Sequence, residues 1–425
     1  MKKTILLSIF ILSCLSAFAQ NYKEQGDAMA KDGNYSGAAA MYRDCMEQDD
    51  ECLFKLFKLL YDEKIAPQFT DELYRLITPL AEKGDARAQF YLGYMYSNDG
   101  FGVTKNYTEA VKWYAKAAEQ GESGAQNNLG VMYRDGLGVK QDYNEAVKWF
   151  QKSAEQGYAL AQVSLGWMYE KGNGVTQNYE EAVKWYQKSA EQGNARAQNN
   201  LGWMYEKGNG VTQNYEEAVK WYKKSAEQGD AYAQNSLGKM YRDGNGINKD
   251  CSKAKEWILK SAEQENYSAY RTLGYMYREG VCVEKNYAKA LEYHMKGALK
   301  DDSFDQFCVG WIYEKGGYGV TQNYEEAVKW YAKAAEQGES GAQNNLATLY
   351  RDGDGAKKDY KKAMELYTKA IKGGDINASY GMGLLYYYGY GVSKDEGKAI
   401  ELIKESAIKG SEGAIDFLQE RGILY

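Results

Sequence analysis

The sequence predicts an all-α fold, a right-handed α-α superhelical solenoid of antiparallel helix pairs with 36-residue repeats. Three observations predict it. The phrase L-G-x-M-Y returns at a nearly constant spacing along most of the chain. The apolar positions around it recur at helical intervals. Only 2 prolines stand against 45 glycines in 425 residues, so helices are rarely broken inside and often punctuated at their ends.

The chain opens on a targeting pattern. Lys2 and Lys3 form a positive start, Ile5 to Leu15 an apolar run too short to span a bilayer, and Ala17-Phe18-Ala19 a small-x-small cleavage site. Residues 1–19 therefore read as a secretory signal peptide, with a mature chain from Gln20. Ile11-Leu12-Ser13-Cys14 offers a lipoprotein alternative, which Leu12 and the short run before it fit poorly. No later stretch approaches the ~18 apolar residues of a membrane span. Removing the segment leaves 51 basic and 59 acidic side chains, a net charge of −8. Such a chain has no electrostatic footprint for nucleic acid or anionic lipid.

Residues 20–84 read as a helical cap. Gly26-Asp27-Ala28, Gly33-Asn34-Tyr35, Ala38 and Tyr42 mark one hairpin. Leu53 to Tyr61 and Asp71 to Leu80 mark a second helix pair, with Pro67 in its connector and Pro79 perturbing its second helix. Nine repeats follow over residues 85–410. The phrase stands as Leu92-Gly93, Leu129-Gly130, Leu165-Gly166, Leu201-Gly202, Leu237-Gly238 and Leu273-Gly274, then in degraded form as Val309-Gly310, Leu346-Ala347 and Met382-Gly383. Extra residues near Asn98 and Asp99, and at Gly316-Gly317, lie between helices. Residues 411–425 hold a lone capping helix, Glu412 to Gln419.

One repeat shows the local logic. Ala161, Leu165, Met168 and Tyr169 share a face of a first helix, and Tyr179, Ala182, Trp185, Tyr186 and Ser189 a face of a second. Gly172-Asn173-Gly174 ends the first helix and Gly193 the second. Gly166 falls mid-helix, where glycine costs ~1 kcal/mol relative to alanine, so close packing of helix backbones is expected there. A helix pair cannot bury both apolar faces alone, and stacked pairs can. Ala110 to Leu129 and Ala327 to Leu346 are identical, the mark of duplication within the gene.

The phrase A-x-x-x-L-G-x-x-Y-x-x-G-x-G-V, followed by alanine, tryptophan and K-A-A-x-x-G, resembles the Sel-one-like repeat, a relative of the tetratricopeptide repeat. The resemblance covers residue 85 to about 410, and it makes the 20–84 region a tetratricopeptide-like cap. It implies an extended scaffold that binds proteins or peptides, in bacteria often exported or envelope-associated. Cysteine-rich secreted members carry a disulfide in every repeat. This chain lacks that pair, so the penicillin-binding or lactamase-like activity proposed for them does not carry over.

Candidate chemistry fails at named positions. The single histidine, His294, is expected on a partly exposed helix surface, which rules out a triad or a histidine-pair zinc site within one chain. The loops at Asp243 and Asp352 imitate the start of a calcium loop, but Ala254 and Ala363 stand where its closing glutamate belongs. Acidic pairs such as Glu180-Glu181 sit at helix N-termini, where they complement the dipole. No cofactor or metal site is expected. Cys45 and Cys52 flank a short connector and could pair, as could Cys251 and Cys282 in the connectors of adjacent repeats, which leaves Cys308 unpaired.

The residue after the repeat glycine lies opposite the core face: Tyr94, Val131, Trp167, Trp203, Lys239, Tyr275, Trp311, Thr348 and Leu384. Polar neighbours on that face include Asn127, Arg134, Asn199, Lys207, Asn235, Arg242, Arg271 and Arg278. Such a column is either a row of binding anchors along a concave groove or packing between neighbouring first helices. The Trp185-type tryptophans belong to the core. The expected function is that of a non-catalytic exported scaffold binding proteins or peptides through its concave surface. The alternatives are a carbohydrate- or cell-wall-binding module using the aromatic ladder, and an envelope hydrolase. The protein is expected in the periplasm, secreted, or at the cell surface, peripheral to the envelope.

Overall fold

The computed structural model describes residues 2–62, 64, 65 and 69–424, residues 2–16 by backbone alone. Pro67 and the side chains of Lys2, Lys3 and Cys14 lie outside the described residues. The chain forms two compact units, Met1–Gln213 and Asn214–Tyr425. Every named element among the described residues is an α-helix, and within each unit consecutive helices pack in pairs.

The first unit begins with α1 (Lys2–Lys31), which runs unbroken from residue 2 past residue 19 into a hairpin with α2 (Tyr35–Cys45). A disulfide joins Cys45 to Cys52, so the end of α2 is tied to the start of α3 (Asp50–Tyr61), with Cα atoms 5.9 Å apart. The next helix, α4 (Thr70–Glu82), continues through Pro79 rather than stopping there. Proline removes the bond its own nitrogen would make and crowds the carbonyl four residues back, but Leu73, Ile77 and Ala81 still bury one face. The repeat pairs follow: α5 (Ala86–Ser97) and α6 (Tyr107–Glu119), α7 (Ser123–Asp135) and α8 (Tyr143–Glu155), α9 (Ala159–Lys171) and α10 (Tyr179–Glu191), then α11 (Ala195–Lys207).

The second unit opens with α12 (Tyr215–Glu227). It continues as α13 (Ala231–Asp243) and α14 (Cys251–Glu263), α15 (Tyr267–Glu279) and α16 (Tyr287–Ala298), α17 (Ser303–Lys315) and α18 (Tyr324–Glu336). Then come α19 (Ser340–Asp352) and α20 (Tyr360–Lys372), α21 (Ala378–Tyr388) and α22 (Glu396–Ile408), and a final short α23 (Glu412–Glu420).

Local chemistry sets these boundaries. Asn178 caps α10 by accepting from the Glu181 N–H at 3.1 Å. Gly172 closes α9 at φ 73°, its N–H bonding the Met168 carbonyl at 2.9 Å. Two residues on, Gly174 touches the backbone of Tyr143 in the preceding repeat, and any Cβ there would collide with the Tyr143 carbonyl.

The core is built on the residue after the second-helix tryptophan. Tyr114, Tyr186, Tyr331 and Tyr367 are at most 1% exposed, and Phe150, Ile258 and Ile403 fill the same position elsewhere. The ring lies against the mid-helix glycine of its own repeat. A Cβ on Gly93, Gly130, Gly166 or Gly310 would come within 2.7 Å of Tyr114, Phe150, Tyr186 or Tyr331 respectively. That is the close approach the recurring glycine permits. The tryptophans are less deeply placed. Trp185 is 8% exposed, while Trp113, Trp149 and Trp257 are half-buried. Each lies under the lysine three residues on, as with Lys116 over Trp113 at 4.0 Å and Lys188 over Trp185 at 4.1 Å. The W-x-x-K spacing carried this signal, and it makes the outer ring face a cation–π surface.

His294 departs from expectation. It is 1% exposed, because it occupies the buried tyrosine position, and its Nδ1 lies 2.7 Å from Asp305 Oδ1.

A polar ladder joins successive repeats. Gln126, Gln162 and Gln306 each donate to the alanine carbonyl near the end of the preceding second helix, at 3.1 to 3.2 Å. Their side-chain oxygens accept from Gln156, Gln192 and Gln337 at 2.7 to 2.9 Å. Each alanine carbonyl thus accepts a second bond beside the backbone N–H that already reaches it, such as Gly121 N–H on Ala118.

Two expectations follow. Gly166→Ala is expected to lower stability by about 1–2 kcal/mol in urea unfolding, because the clash with Tyr186 outweighs the helix-propensity gain. Burial, with Glu170 beside it, pushes the Tyr186 phenol well above the usual tyrosine range, and burial with Glu314 does the same for Tyr331. A phenol whose pKa is raised on folding contributes stability that is present below pH ~10 and lost as the pH climbs past it. Alkaline titration of tyrosinate absorbance should therefore show two phases, the core tyrosines ionising only with cooperative unfolding.

Candidate binding surface

The column after the repeat glycine lies along the seam where successive first helices meet. Contacts link α5 to α7, α13 to α15, α17 to α19 and α19 to α21. In the first unit Tyr94, Val131, Trp167 and Trp203 are half-buried. Tyr94 packs edge-on against Tyr61 at 4.9 Å and Phe101 at 5.3 Å, so its ring joins the array to its N-terminal cap. In the second unit Lys239, Trp311, Thr348 and Leu384 are half-buried and Tyr275 is 40% exposed.

Arginines cover these rings from the neighbouring repeat. Arg134 lies over Trp167 at 5.8 Å and Arg242 over Tyr275 at 5.4 Å. Arg278 lies between Tyr275 at 6.0 Å and Trp311 at 5.4 Å. Each guanidinium is held from behind by the next residue's carboxylate, Asp135, Asp243 or Glu279, at 2.7 Å. Across α13, α15 and α17 this gives a continuous stack of Arg242, Tyr275, Arg278 and Trp311.

The arginine position follows the second helix in seven repeats, and the ninth departs, with Ile403 matched by Tyr387. Where the second helix brings a tyrosine hydroxyl, this position holds a group that bonds it. Glu170 accepts from Tyr186 at 2.8 Å and Glu314 from Tyr331 at 2.7 Å. Ser97 bonds Tyr114 at 2.9 Å, and Arg351 donates to Tyr367 at 3.4 Å. Where the second helix brings Phe150, Ile258 or His294, the position is Arg134, Arg242 or Arg278, which turns to the next repeat's ring. The hydroxyl also reaches forward. Asn128 donates to Tyr114 at 3.2 Å and Asn345 to Tyr331 at 3.0 Å.

Not every predicted polar neighbour lies on the open face. Asn127 is 5% exposed and Asn235 is 3% exposed, because successive first helices close over them. Asn127 donates to Asn128 and accepts from Ser164. Asn199 is half-buried, while Lys207 and Arg271 are exposed. Four exposed aromatics of the second unit, Tyr232, Tyr267, Tyr275 and Phe304, stand on the first helices α13, α15 and α17, and Arg271 lies over Phe304 at 4.9 Å. Single-repeat reading missed Tyr232, Tyr267 and Phe304, which sit about two turns before the column. Cys251 and Cys282 form a disulfide, with Cα atoms 4.8 Å apart, and Cys308 is free and buried. Burial pushes the Cys308 thiol up to about 12, which leaves it protonated and unreactive at neutral pH. Among the described residues no three or more His, Cys, Asp or Glu side chains gather as metal ligands, and no helix is long and apolar enough to cross a membrane.

The Glu–Tyr and Arg–Phe pairings predict coupled mutants. Glu170→Arg or Tyr186→Phe alone should each cost about 1–3 kcal/mol by stranding a buried polar partner. The double variant should recover most of that loss in urea unfolding, and additive losses would show the two sites to be independent. Trp167→Ala should cost about 2–4 kcal/mol, and the more exposed Tyr275→Ala less than about 1 kcal/mol.

Comparison with known proteins agrees with this geometry. The Sel1 repeat matches residues 86–122, 123–158, 159–194, 195–230, 231–266, 268–302, 306–339, 340–375 and 376–411. The solved structure of a protective antigen present in uropathogenic Escherichia coli strains, displaying an SLR fold, is 38% identical, covers 88% of this chain and 80% of that one, and has a TM-score of 0.69. A Sel1 repeat protein from Oxalobacter formigenes is 30% identical over 73% of this chain and 89% of that one, with a TM-score of 0.54. The ERAD-associated E3 ubiquitin-protein ligase component HRD3A of Arabidopsis thaliana is 32% identical over 63 residues, which are 15% of this chain and only 9% of that protein's length. The chain is a member of the Sel1 repeat family, with nine repeats.

Proposed function

We propose that this protein is a non-catalytic exported scaffold that binds a protein or peptide segment along the first-helix face, the concave side of such an array. The observation that carries this reading is the preorganised stack of Arg242, Tyr275, Arg278 and Trp311, whose arginines are fixed from behind by their own carboxylates. Arginine and large aromatics concentrate binding energy where they are held rigid. The half-burial of Trp167, Trp203 and Trp311 favours a protein partner over a sugar, since it leaves less open ring face for stacking. Family membership and the likeness to a protein described as a protective antigen support a scaffold that meets other molecules outside the cytoplasm. The positive start, apolar run and small-x-small site of residues 1–19 support export.

The test is crosslinked pull-down of the full chain from the envelope of the cell that makes it, beside a Tyr232→Ser/Tyr275→Ser variant. Both side chains are exposed, so the fold should hold by circular dichroism. The variant should lose at least one partner. Retention of every partner at unchanged yield overturns the reading, and loss of glycan-array signal instead assigns a carbohydrate ligand. Export predicts that the recovered protein begins near Gln20 by N-terminal sequencing, and a chain still carrying Met1 would overturn it.

A further inference from the structure

The sixth repeat, α15 with α16, departs from its neighbours at both seams. On its near side, Cys251 stands where other second helices begin with a tyrosine such as Tyr215, and Cys282 stands where other connectors carry a glycine such as Gly246. Elsewhere that glycine lies against the tyrosine's backbone, and here a disulfide replaces the approach. Cys282 takes the left-handed conformation at φ 60°, which its neighbours reserve for glycine.

On its far side three positions have changed together. His294 replaces the core tyrosine. Asp305 replaces the alanine that is 0% exposed as Ala233, Ala269 and Ala342. Gly297 replaces a serine or alanine, and any Cβ there would collide with the Asp305 carboxylate. His294 Nδ1 and Asp305 Oδ1 lie 2.7 Å apart, both side chains at most 2% exposed. Arg271 Nε lies 3.9 Å from the other Asp305 oxygen, and Arg271 is also paired with Asp302 at 2.5 Å. His294 Nε2 is buried without a partner, so this seam forgoes a bond that the tyrosine seams make. A buried polar pair is on average no more stabilising than well-packed apolar residues, but it is specific.

We propose that the sixth repeat is a register key for the array. Near-identical repeats can pack on the wrong neighbour. Leu165–Tyr186 and Leu201–Tyr222 are identical, as are Ala110–Leu129 and Ala327–Leu346, so their faces do not distinguish one neighbour from another. If the sixth repeat were looped out, Asp305 would be buried against Ile258 with no donor. If the seventh were looped out, His294 would face Ala342. Each error strands a polar group in an apolar site and is disfavoured roughly 100-fold or more. The disulfide then makes the correct near seam covalent.

The experiment compares the full chain with Cys251→Tyr/Cys282→Gly/His294→Tyr/Gly297→Ala/Asp305→Ala, which restores the repeat consensus. Both are refolded from denaturant in a glutathione redox buffer, then separated by size and probed by limited proteolysis. The proposal expects the variant to fold, with an unfolding midpoint no lower than the parent's after the disulfide's loss is matched by a Cys251→Tyr/Cys282→Gly control. It also expects a several-fold larger share of swapped dimers or of monomers cleaved within a looped-out repeat. Refolding to a single species in the parent's yield overturns it. So does failure to fold, because the replaced residues would then serve stability. Asp305→Ala alone should lower the midpoint, and adding His294→Tyr and Gly297→Ala should restore it; strictly additive losses overturn the coupling.

Discussion

A tyrosine ring lying on a glycine of its own repeat is the contact on which the array depends. The glycine removes the one atom that would hold the two helices apart, and the ring then fills the space between them. Because the ring is wholly buried, its burial contributes much of what each helix pair gains on folding, on the order of 1.5–3 kcal/mol. Where the tyrosine gives way to Phe150, Ile258 or Ile403, the seat is kept, so shape rather than hydroxyl chemistry sets the helix-to-helix distance.

The hydroxyl does a second task. It bonds within its own repeat, to Glu170 or Glu314, and forwards into the next, to an asparagine such as Asn128 or Asn345. Together with the glutamine ladder it converts a stack of apolar faces into one with fixed spacing, because hydrogen bonds tolerate less sliding than apolar contacts. In the repeats with Phe150, Ile258 and His294 the position is arginine, and those arginines cover Trp167, Tyr275 and Trp311.

Much of this was legible in the sequence, because a repeat offers many independent readings of one position. Helix ends, the pairing of helices and the need for a small residue at Gly166 all followed from recurrence. The errors came from single residues. His294 looked like a surface histidine because histidine is polar, although its repeat position is a buried one; the matching change was Asp305, a carboxylate at an alanine position one helix further on. The tryptophans were read as core residues, and Trp185, Trp221 and Trp330 are buried, but the tyrosine beside them lies deeper and the tryptophan keeps a face for lysine. Asn127 was read from one helix, and its burial depends on the next first helix closing over it. Seams between repeats are not visible in the period of one repeat.

The identical stretches Ala110–Leu129 and Ala327–Leu346 begin inside a second helix and end inside the following first helix. Each therefore contains a whole joint, tyrosine and asparagine together, and only part of either repeat. Recombination between such stretches exchanges joints rather than modules, so a gene can gain or lose whole repeats while every surviving junction is already matched. For a lineage under pressure to change its outward face, this is a route to new lengths that needs no compensating mutation.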